Sequence, residues 1–384
     1  MNAIDGWELI VRIVIDGHMI GSGETGNEAY VSNLVRGLAA VDSHNHYTLL
    51  TTAPALCQSL INGQDNFSLR QVSANPFFRI PWQIPQQLWR HPADLLHVSY
   101  VAPPLAPCPT VVSVHDIIYT LMPEAFSPRD RLILSSLVPF SMRRAAKVLT
   151  LSESSRQDIL ARYKLAPDKV VAIHLAPAEH FGPAPAADVE RARQKYDTSQ
   201  SFILAVGNLQ KRKNLVRLIE AFVQAKRKHK LPHKLVLVGQ QHWGYQGILA
   251  SVQEKNLADQ VIFTGYVPDE DMPALYSAAD LFVYPSLYEG FGLPMLEAMA
   301  CGTPVVTSNT SSLPEIAGQA ALMVDPYDTQ AIAEAIGIVL LDQNLRRTLC
   351  AKGSEQASRF SWAETAKRTL CVYQDVVRGN ICST

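Results

Sequence analysis

Short apolar runs alternate with helix-like spacings along most of the chain. The runs LIVRIVID, LLHVS, TVVSVH and KVLTLS are a few residues long, are rich in Val, Ile and Leu, and end on a polar residue. Segments such as AYVSNLVRGLAAV between them carry apolar side chains at helical spacing. Such runs are typical of parallel strands that are buried on both faces. Their alternation with helices predicts an open α/β sheet.

The alternation is interrupted once and then restarts, which predicts two domains. Prolines and alanines break both periodicities between His174 and Glu190, and we interpret this segment as a linker. The pattern resumes with FILAVG, a helix over Leu215–Lys228, and the runs KLVLVG, VIFTG, LFVYPS, TPVVTS and AALMV. We predict Rossmann-like βαβ domains over residues 1–180 and 181–365, facing each other across a cleft at the carboxyl ends of their strands. The helical pattern of residues 366–384 either closes the second domain or crosses back to the first.

Charge and cysteine content restrict the classes of partner. The formal net charge is −1, so no overall field attracts nucleic acid. The six cysteines are scattered without a CxxC pair, which predicts reduced thiols and a cytoplasmic protein. MNAIDGWELI does not resemble a signal peptide, and no apolar run approaches the ~20 residues of a membrane helix. We therefore expect any membrane contact to be peripheral.

A basic loop follows the first strand of the second domain. In VGNLQKRKNL, Gly207 permits a turn, and Arg212 and Lys213 come just before a helix. Two cations beside a helix N-terminus suit a phosphate group, because the helix dipole and free N–H groups add to their charge. The alternative interpretation is a solvated basic loop.

A second strand end carries two glutamates around a glycine turn. In SLYEGFGLPMLEAMACGTPVV, Glu289 precedes the turn and Glu297 lies about one turn inside the following helix. The backbone N–H groups at the helix start would form an anion site. A sugar-nucleotide matches this layout, with its hexose, diphosphate and ribose in order. In the alternative interpretation, Glu297 is a first-turn acid that stabilises the helix dipole.

These motifs together resemble the retaining glycosyltransferases of the GT-B fold whose signature is two glutamates separated by seven residues. The resemblance is strongest over Phe202–Pro326, and it continues in TGNEAYVSNLVRGLA, VVSVHDIIY and AAKVLTLSESSRQDI of the first half. It covers nearly the whole chain. It implies two Rossmann-like domains in the GT-B arrangement, with no cofactor besides the donor substrate.

The resemblance also implies roles for individual residues. Glu289 would contact the donor sugar, Lys213 the diphosphate and Glu297 the ribose. Asn208 stands where the family usually has an arginine, and Arg212 is the candidate to replace it. His115 would approach the donor sugar near the reacting carbon, while Asp116 would position the loop or His115. The remaining implied contacts are the turn N–H groups of Gly290, Phe291, Gly292 and Leu293, the nucleobase site at Gly265, Tyr266 and Val267, and the first-domain glycine turn at Gly26.

The implied reaction is hexose transfer with retention, by same-face attack in which the leaving phosphate oxygen takes the acceptor proton. Our best estimate is mannose from GDP-mannose, moved to a glycan or lipid-linked acceptor of surface polysaccharide. UDP-glucose and dTDP-rhamnose remain alternative donors. A sugar-nucleotide 2-epimerase and a non-catalytic sugar-nucleotide-binding regulator remain alternative functions.

Two acidic patterns resemble functional sites but have simpler interpretations. Asp269 and Asp271 form a DxD pattern, which holds a divalent metal in some glycosyltransferases of another fold. Here they open a helix, so we expect them to cap it and predict no metal. The spacing of Ser312–Glu315 predicts a capping box.

Two N-terminal stretches combine apolar and basic side chains. One contains Phe77, Phe78, Trp82 and Trp89. The other has Arg129, Arg131, Arg143, Arg144 and Lys147 among apolar residues at helical spacing. The simpler interpretation of the second is a core-facing helix with a solvated basic face. The alternative is a peripheral contact with anionic lipid, which would bring the enzyme to a lipid-linked acceptor.

Overall fold

A computed structural model describes residues 10–23, 25–241 and 245–381. The N-terminal residues 1–9, which include Leu9 of the first predicted strand, lie outside the described residues, as do residues 382–384. The strands are β1 (Arg12–Asp16), β2 (His46–Thr51), β3 (Phe67–Gln71), β4 (Leu95–Ser99), β5 (Thr110–Ser113), β6 (Lys147–Thr150), β7 (Val170–Ala172), β8 (Phe202–Val206), β9 (Lys234–Val238), β10 (Val261–Gly265), β11 (Leu281–Tyr284), β12 (Val305–Ser308) and β13 (Leu322–Val324).

Helices fill the connections between these strands. They are α1 (Thr25–Val41), α2 (Pro54–Ile61), α3 (Pro76–Phe78), α4 (Ile84–Arg90), α5 (Ile118–Leu121), α6 (Pro128–Arg144), α7 (Glu153–Tyr163), α8 (Ala186–Lys195), α9 (Leu215–His229), α10 (Gln246–Glu254), α11 (Met272–Ala278), α12 (Leu293–Ala300), α13 (Leu313–Ala317), α14 (Thr329–Leu341), α15 (Gln343–Ser358) and α16 (Trp362–Ile381). A π-helical segment over Arg79–Gln83 joins α3 to α4.

The strands form two parallel sheets, which confirms the predicted α/β architecture of two Rossmann-like domains. The first sheet has the order β3-β2-β1-β4-β5-β6-β7, and the second has the order β10-β9-β8-β11-β12-β13. Central strands such as β5 and β11 are buried along their whole length. This is why the sequence shows them as continuous apolar runs rather than alternating ones.

The segment interpreted as a linker is partly helical. Helix α8 begins at Ala186, inside the predicted loop, and Pro185 immediately precedes it. Proline is compatible with a helix start, and the alanines that follow favour helix, so the segment breaks the pattern only in its first half. The segment that we interpret as a linker therefore includes the first residues of a helix at its C-terminal end.

The last helix contacts the first sheet's side of the molecule. Helix α16 packs along α1 and also contacts β4. A methyl group at Gly37 of α1 would lie 2.9 Å from the carbonyl oxygen of Trp362. The close approach of the two helices therefore depends on a glycine at this position. Helix α16 follows α15 of the second half, so the end of the chain crosses back from the second half of the molecule to the first.

Among the helices within the described ranges, none has the length and apolar character needed to cross a membrane.

Candidate active site

The glycine turn between β11 and α12 lies directly against the first sheet. A methyl group at Gly290 would lie 2.8 Å from Asp116 Oδ2 and 3.0 Å from the His115 carbonyl oxygen. The Ser152 hydroxyl donates to the Gly290 carbonyl at 2.8 Å. A side chain at Gly290 would therefore push the two strand-end loops apart. The cleft predicted between the domains brings this turn and His115 together.

The turn leads into α12 through a backbone conformation that favours glycine. Gly292 has a φ of 103° and occupies the position before the first helical residue. A methyl group there would lie 2.7 Å from a methyl carbon of Leu313. The Ser312 hydroxyl lies within 2.9 Å of the carbonyl oxygens of Glu289 and Phe291. Hydrogen bonds from serine hydroxyls to the carbonyl groups of the turn thus hold it in place.

Glu289 lies between two cations. Its carboxylate accepts a hydrogen bond from Lys213 Nζ at 2.7 Å and another from the Arg212 guanidinium. The Lys213 ammonium also donates to Tyr284 Oη at 2.5 Å. Lys213 and Glu289 are buried, so the alternative interpretation of a solvated basic loop is wrong for Lys213. Gly207 leaves room for this lysine, since a methyl group there would lie 2.7 Å from Lys213 Cε.

The electrostatics of this cluster favour an ionised carboxylate and a weakened ammonium. Burial alone would raise the pKa of Glu289, but the charges of Arg212 and Lys213 lower it to about 2. Burial and the neighbouring Arg212 lower the pKa of Lys213 to about 8, against the opposing attraction of Glu289. The cluster therefore carries two cations and one anion at neutral pH, which leaves one positive charge to attract a phosphate.

Glu297 is the fifth residue of α12, and no acidic residue lies in the first turn of that helix. The first-turn interpretation of Glu297 was therefore wrong. Its carboxylate accepts a hydrogen bond from Tyr276 Oη at 2.9 Å. Burial raises the pKa of Glu297 to about 7, although the bond from Tyr276 opposes the shift. A buried carboxylate with a strongly raised pKa is a candidate functional residue.

The raised pKa of Glu297 predicts a pH-dependent effect of its removal. Protonation of Glu297 stabilises the folded protein; this stabilisation is complete below the ordinary pKa of 4.5 and is lost as pH rises through about 7. We expect Glu297→Gln, which is uncharged and still accepts from Tyr276, to raise Tm by several degrees at pH 8 and much less at pH 5. Thermal unfolding without ligand measures this. Glu334→Gln, on the exposed surface of α14, is the control, and an equal gain at both pH values would contradict the assignment.

His115 is a buried, neutral imidazole at the end of β5. Its ring packs edge-on against Tyr30 at 4.6 Å and Tyr100 at 5.3 Å between centroids. Burial lowers its pKa to about 4. Nε2 of His115 is buried and has no hydrogen-bond partner among the residues that the structure describes. A buried polar nitrogen beside the glycine turn suits a ligand that supplies the missing partner.

Asp116 is engaged by its own loop. Its Oδ1 atom accepts from the Ile118 backbone N–H at 3.0 Å. Burial raises the pKa of Asp116. This geometry is consistent with the predicted role of Asp116 in positioning the loop.

The two remaining predicted binding regions belong to other segments. Gly26 is the second residue of α1, so it lies within the helix rather than in the turn where we predicted it. Gly265 ends β10 with a φ of 69°. Tyr266 is half exposed and Val267 is buried. Because β9 separates β10 from β8, this segment borders the same sheet edge two strands from the Gly207 turn.

Both capping predictions were wrong. Asp271 precedes α11, but its carboxylate accepts from Lys195 Nζ at 2.6 Å and makes no cap hydrogen bond to the helix. Glu315 accepts from His174 Nε2 at 2.7 Å and from the backbone N–H groups of Glu153 and Ser154. It thus caps α7 of the first half instead of its own helix. Local spacing could not reveal partners more than 70 residues away.

Sequence reasoning missed several residues that hold the site. They are Ser152, Ser311, Ser312, Tyr276 and Tyr284, which hydrogen-bond the turn, Lys213 or Glu297. Their hydroxyl groups at strand ends and on helices are common in any protein, so only their contacts distinguish them. In the described ranges, no group of three or more His, Cys, Asp or Glu side chains is arranged to hold a metal ion.

Comparisons with known proteins agree with this geometry. The protein-family model for glycosyl transferases group 1 matches residues 187–356, and the family model for glycosyltransferase family 4 matches residues 25–176. The O-antigen chain mannosyltransferase B of Escherichia coli is 37% identical over 69% of this chain and 70% of its own length. The serotype-specific mannosyltransferase WbdA of Escherichia coli is 35% identical over 68% of this chain, but the match spans only 32% of that relative.

Solved structures share the whole two-sheet arrangement. The sucrose-phosphate synthase from Thermosynechococcus elongatus superposes with a TM-score of 0.73 at 25% identity, covering 96% of this chain and 100% of the other. WaaG, a glycosyltransferase involved in lipopolysaccharide biosynthesis, has the same TM-score at 19% identity and covers 95% and 99% of the two chains. The GT-B fold predicted from the sequence is confirmed. The chain belongs to the glycosyl transferases group 1 family and is a glycosyltransferase.

Proposed function

We propose that this chain is a retaining mannosyltransferase that moves mannose from GDP-mannose to a glycan or lipid-linked acceptor during surface-polysaccharide synthesis. The observation that carries the proposal is the buried cluster of Arg212, Glu289 and Lys213 beside the glycine turn and His115. The choice of mannose rests on the mannosyltransferase names of the relatives. UDP-glucose and dTDP-rhamnose are the competing donors. Family membership favours transfer over epimerisation or regulation.

The donor would lie along the turn. Glu289 would accept hydrogen bonds from hexose hydroxyls, and the backbone N–H groups from Gly290 to Leu293 would bind the diphosphate. Glu297 would accept from the ribose, and residues 265–267 would border the nucleobase. His115 Nε2, which has no partner within the described chain, would bind the hexose near the reacting carbon.

The chemistry follows from where charge develops. As the bond between the anomeric carbon and the phosphate oxygen breaks, negative charge builds on the diphosphate. Lys213, Arg212 and the turn N–H groups would stabilise that charge. The acceptor oxygen would attack from the face that the diphosphate leaves, and the leaving phosphate oxygen would take the acceptor proton. We propose that the two cations serve the leaving group without a divalent metal; chelation by EDTA should leave the rate unchanged.

A donor screen tests the proposal. A nucleotide that binds only the folded state raises Tm by mass action. We expect GDP to raise Tm more than UDP or dTDP, and GDP-mannose with an acceptor glycan to yield an α-linked product whose anomeric configuration is read by NMR. Incubation of the donor alone should leave it unchanged, whereas an epimerase would convert it. If no nucleotide raised Tm, the proposal would fail as a whole.

We also propose a peripheral contact with anionic lipid. Phe77, Trp82 and Leu132 are 70%, 55% and 69% exposed, so apolar groups on both N-terminal stretches face outward rather than into the core. The arginines at both ends of α6, Arg129 and Arg143 among them, are also exposed. Apolar and basic side chains together favour an anionic lipid surface.

Vesicle co-sedimentation tests the lipid contact. We expect the protein to sediment with vesicles that contain acidic lipid and to remain in solution with neutral ones. Replacing Trp82 and Leu132 by serine should reduce sedimentation, while Val216→Ser, an exposed apolar change on α9 of the second half, should not. Sedimentation that is indifferent to lipid charge would contradict the proposal.

A further inference from the structure

A chain of buried hydrogen bonds connects the last helix to the tyrosine that packs on His115. Tyr373 Oη of α16 lies 2.6 Å from His97 Nδ1 on β4. His97 Nε2 lies 2.7 Å from Ser113 Oγ on β5. The same Ser113 Oγ lies 2.7 Å from Tyr30 Oη of α1. All four side chains are buried, so no solvent competes for these bonds.

The chain of hydrogen bonds ends at Tyr30, whose ring packs on the His115 imidazole of the candidate site. The Tyr30 ring is the closer of the two aromatic rings that pack edge-on against His115. Ser113 is the last residue of β5, two positions before His115. Both the ring that packs on His115 and the backbone that carries it are therefore attached to the same hydrogen-bond chain.

The protonation states of the four groups make each link depend on the next. Burial lowers the pKa of His97 to about 3, so its ring is neutral and carries a single N–H. Burial raises the pKa of Tyr30 to about 12, and it holds the pKa of Tyr373 well above the ordinary value. A neutral imidazole bonded on both sides must donate at one nitrogen and accept at the other. Removing the Tyr373 hydroxyl would leave a buried nitrogen of His97 unpaired, which is costly.

We propose that Tyr373 is a positioning residue for the reaction: through His97, Ser113 and Tyr30 it holds the His115 ring in the orientation that meets the donor sugar. The proposal rests on the role given to His115 under the proposed function. It assigns to α16 a task beyond packing, because this helix supplies the outermost group of the network. Arg212 and Lys213, the cations that would bind the donor substrate, follow β8 of the other sheet. Binding of the donor substrate should therefore not depend on Tyr373.

Tyr373→Phe tests the proposal, with Tyr47→Phe as the matched control. Tyr47 is buried in the same core, and its hydroxyl donates to Asp42 at 2.6 Å instead of joining the His97–Ser113–Tyr30 chain. We expect Tyr373→Phe to lower kcat roughly tenfold, since small misplacements of a reacting group are expensive, and to leave the donor KM within about twofold. Tyr47→Phe should lower Tm but not kcat. Equal kcat in the two variants would overturn the proposal.

Two further readouts separate positioning from general destabilisation. In a His115→Ala background, Tyr373→Phe should cause no additional loss of kcat, because the group it acts on is gone. The ring signals of His115, assigned in histidine-labelled protein by their loss in His115→Ala, should shift in Tyr373→Phe and stay in place in Tyr47→Phe. A further kcat loss without His115, or unshifted ring signals, would overturn the proposal. Wild-type kcat in His115→Ala would instead refute the role of His115 itself, and the ring signals would still report whether Tyr373 holds the ring.

Discussion

Glu289→Gln is expected to lower kcat by roughly two to three orders of magnitude, the range typical for losing one preorganised polar group at a reacting centre. The amide keeps the shape of the side chain but cannot hold both Arg212 and Lys213, which Glu289 contacts with its two oxygens. It also removes a negative charge beside the proposed diphosphate site. Affinity for nucleoside diphosphate should therefore be kept or increased while turnover falls.

The measurement compares steady-state kinetics with nucleotide affinity from calorimetry. Asp42→Asn is the control, since Asp42 is also buried and accepts from Tyr47 and Asn45 but lies outside the cleft. It should lower Tm and spare kcat. Glu289→Ala should mainly lower turnover, whereas Glu297→Ala should mainly weaken nucleotide binding. Equal nucleotide affinity in those two alanine variants would refute the division of roles.

Lys213→Met is expected to lower kcat/KM for the donor by roughly a hundredfold or more, because on the proposed function the charge that would stabilise the leaving diphosphate is lost. Methionine fills much of the space beside Gly207, and the pair of Arg212 with Glu289 remains. Removing one partner of a buried ion pair usually destabilises a protein, because it leaves the other charge uncompensated. Arg212 continues to compensate Glu289, so the Tm of the variant should fall without unfolding the protein under assay conditions.

The pH profile of kcat/KM gives a second readout for Lys213. Its pKa of about 8 means that the ammonium charge is lost as pH rises through that value. Wild-type kcat/KM should fall above pH 8, and this alkaline limb should disappear in Lys213→Met. Lys226→Met is the control, because Lys226 of α9 donates to the His233 carbonyl at 2.8 Å rather than to Glu289. An alkaline limb that survives in Lys213→Met would show that another group titrates.

The sequence was most informative where local periodicity decides structure. Strands β5 and β11 are buried on both faces, so their residues are apolar without alternation, and the runs could be located within a few positions. Helix α9 was predicted over Leu215–Lys228 and is observed over Leu215–His229. The glycine turn before α12 was also visible, because Gly292 takes a positive φ and Pro294 fits the first helical turn.

Predictions failed where a polar side chain had a choice of partners. Glu315 has the spacing of a capping box, yet it bonds α7 and His174. Asp271 could cap α11 but bonds Lys195 and Tyr196 instead. A carboxylate bonds to the donors that the fold places beside it, and these donors can belong to segments distant in sequence. The local spacing of residues does not predict such partners.

By itself the sequence determined the two α/β halves, the order of their strands and helices along the chain, and the glutamates and cations at the strand ends. These follow from periodicity and turn chemistry, which act over a few residues. Only the tertiary structure decided which groups meet. It joined Glu289 to Arg212 and Lys213, placed Gly290 against His115, and brought Tyr373 to His97. Such contacts depend on how the sheets and helices pack, because burial removes water and leaves each polar group to pair with whatever the fold places beside it.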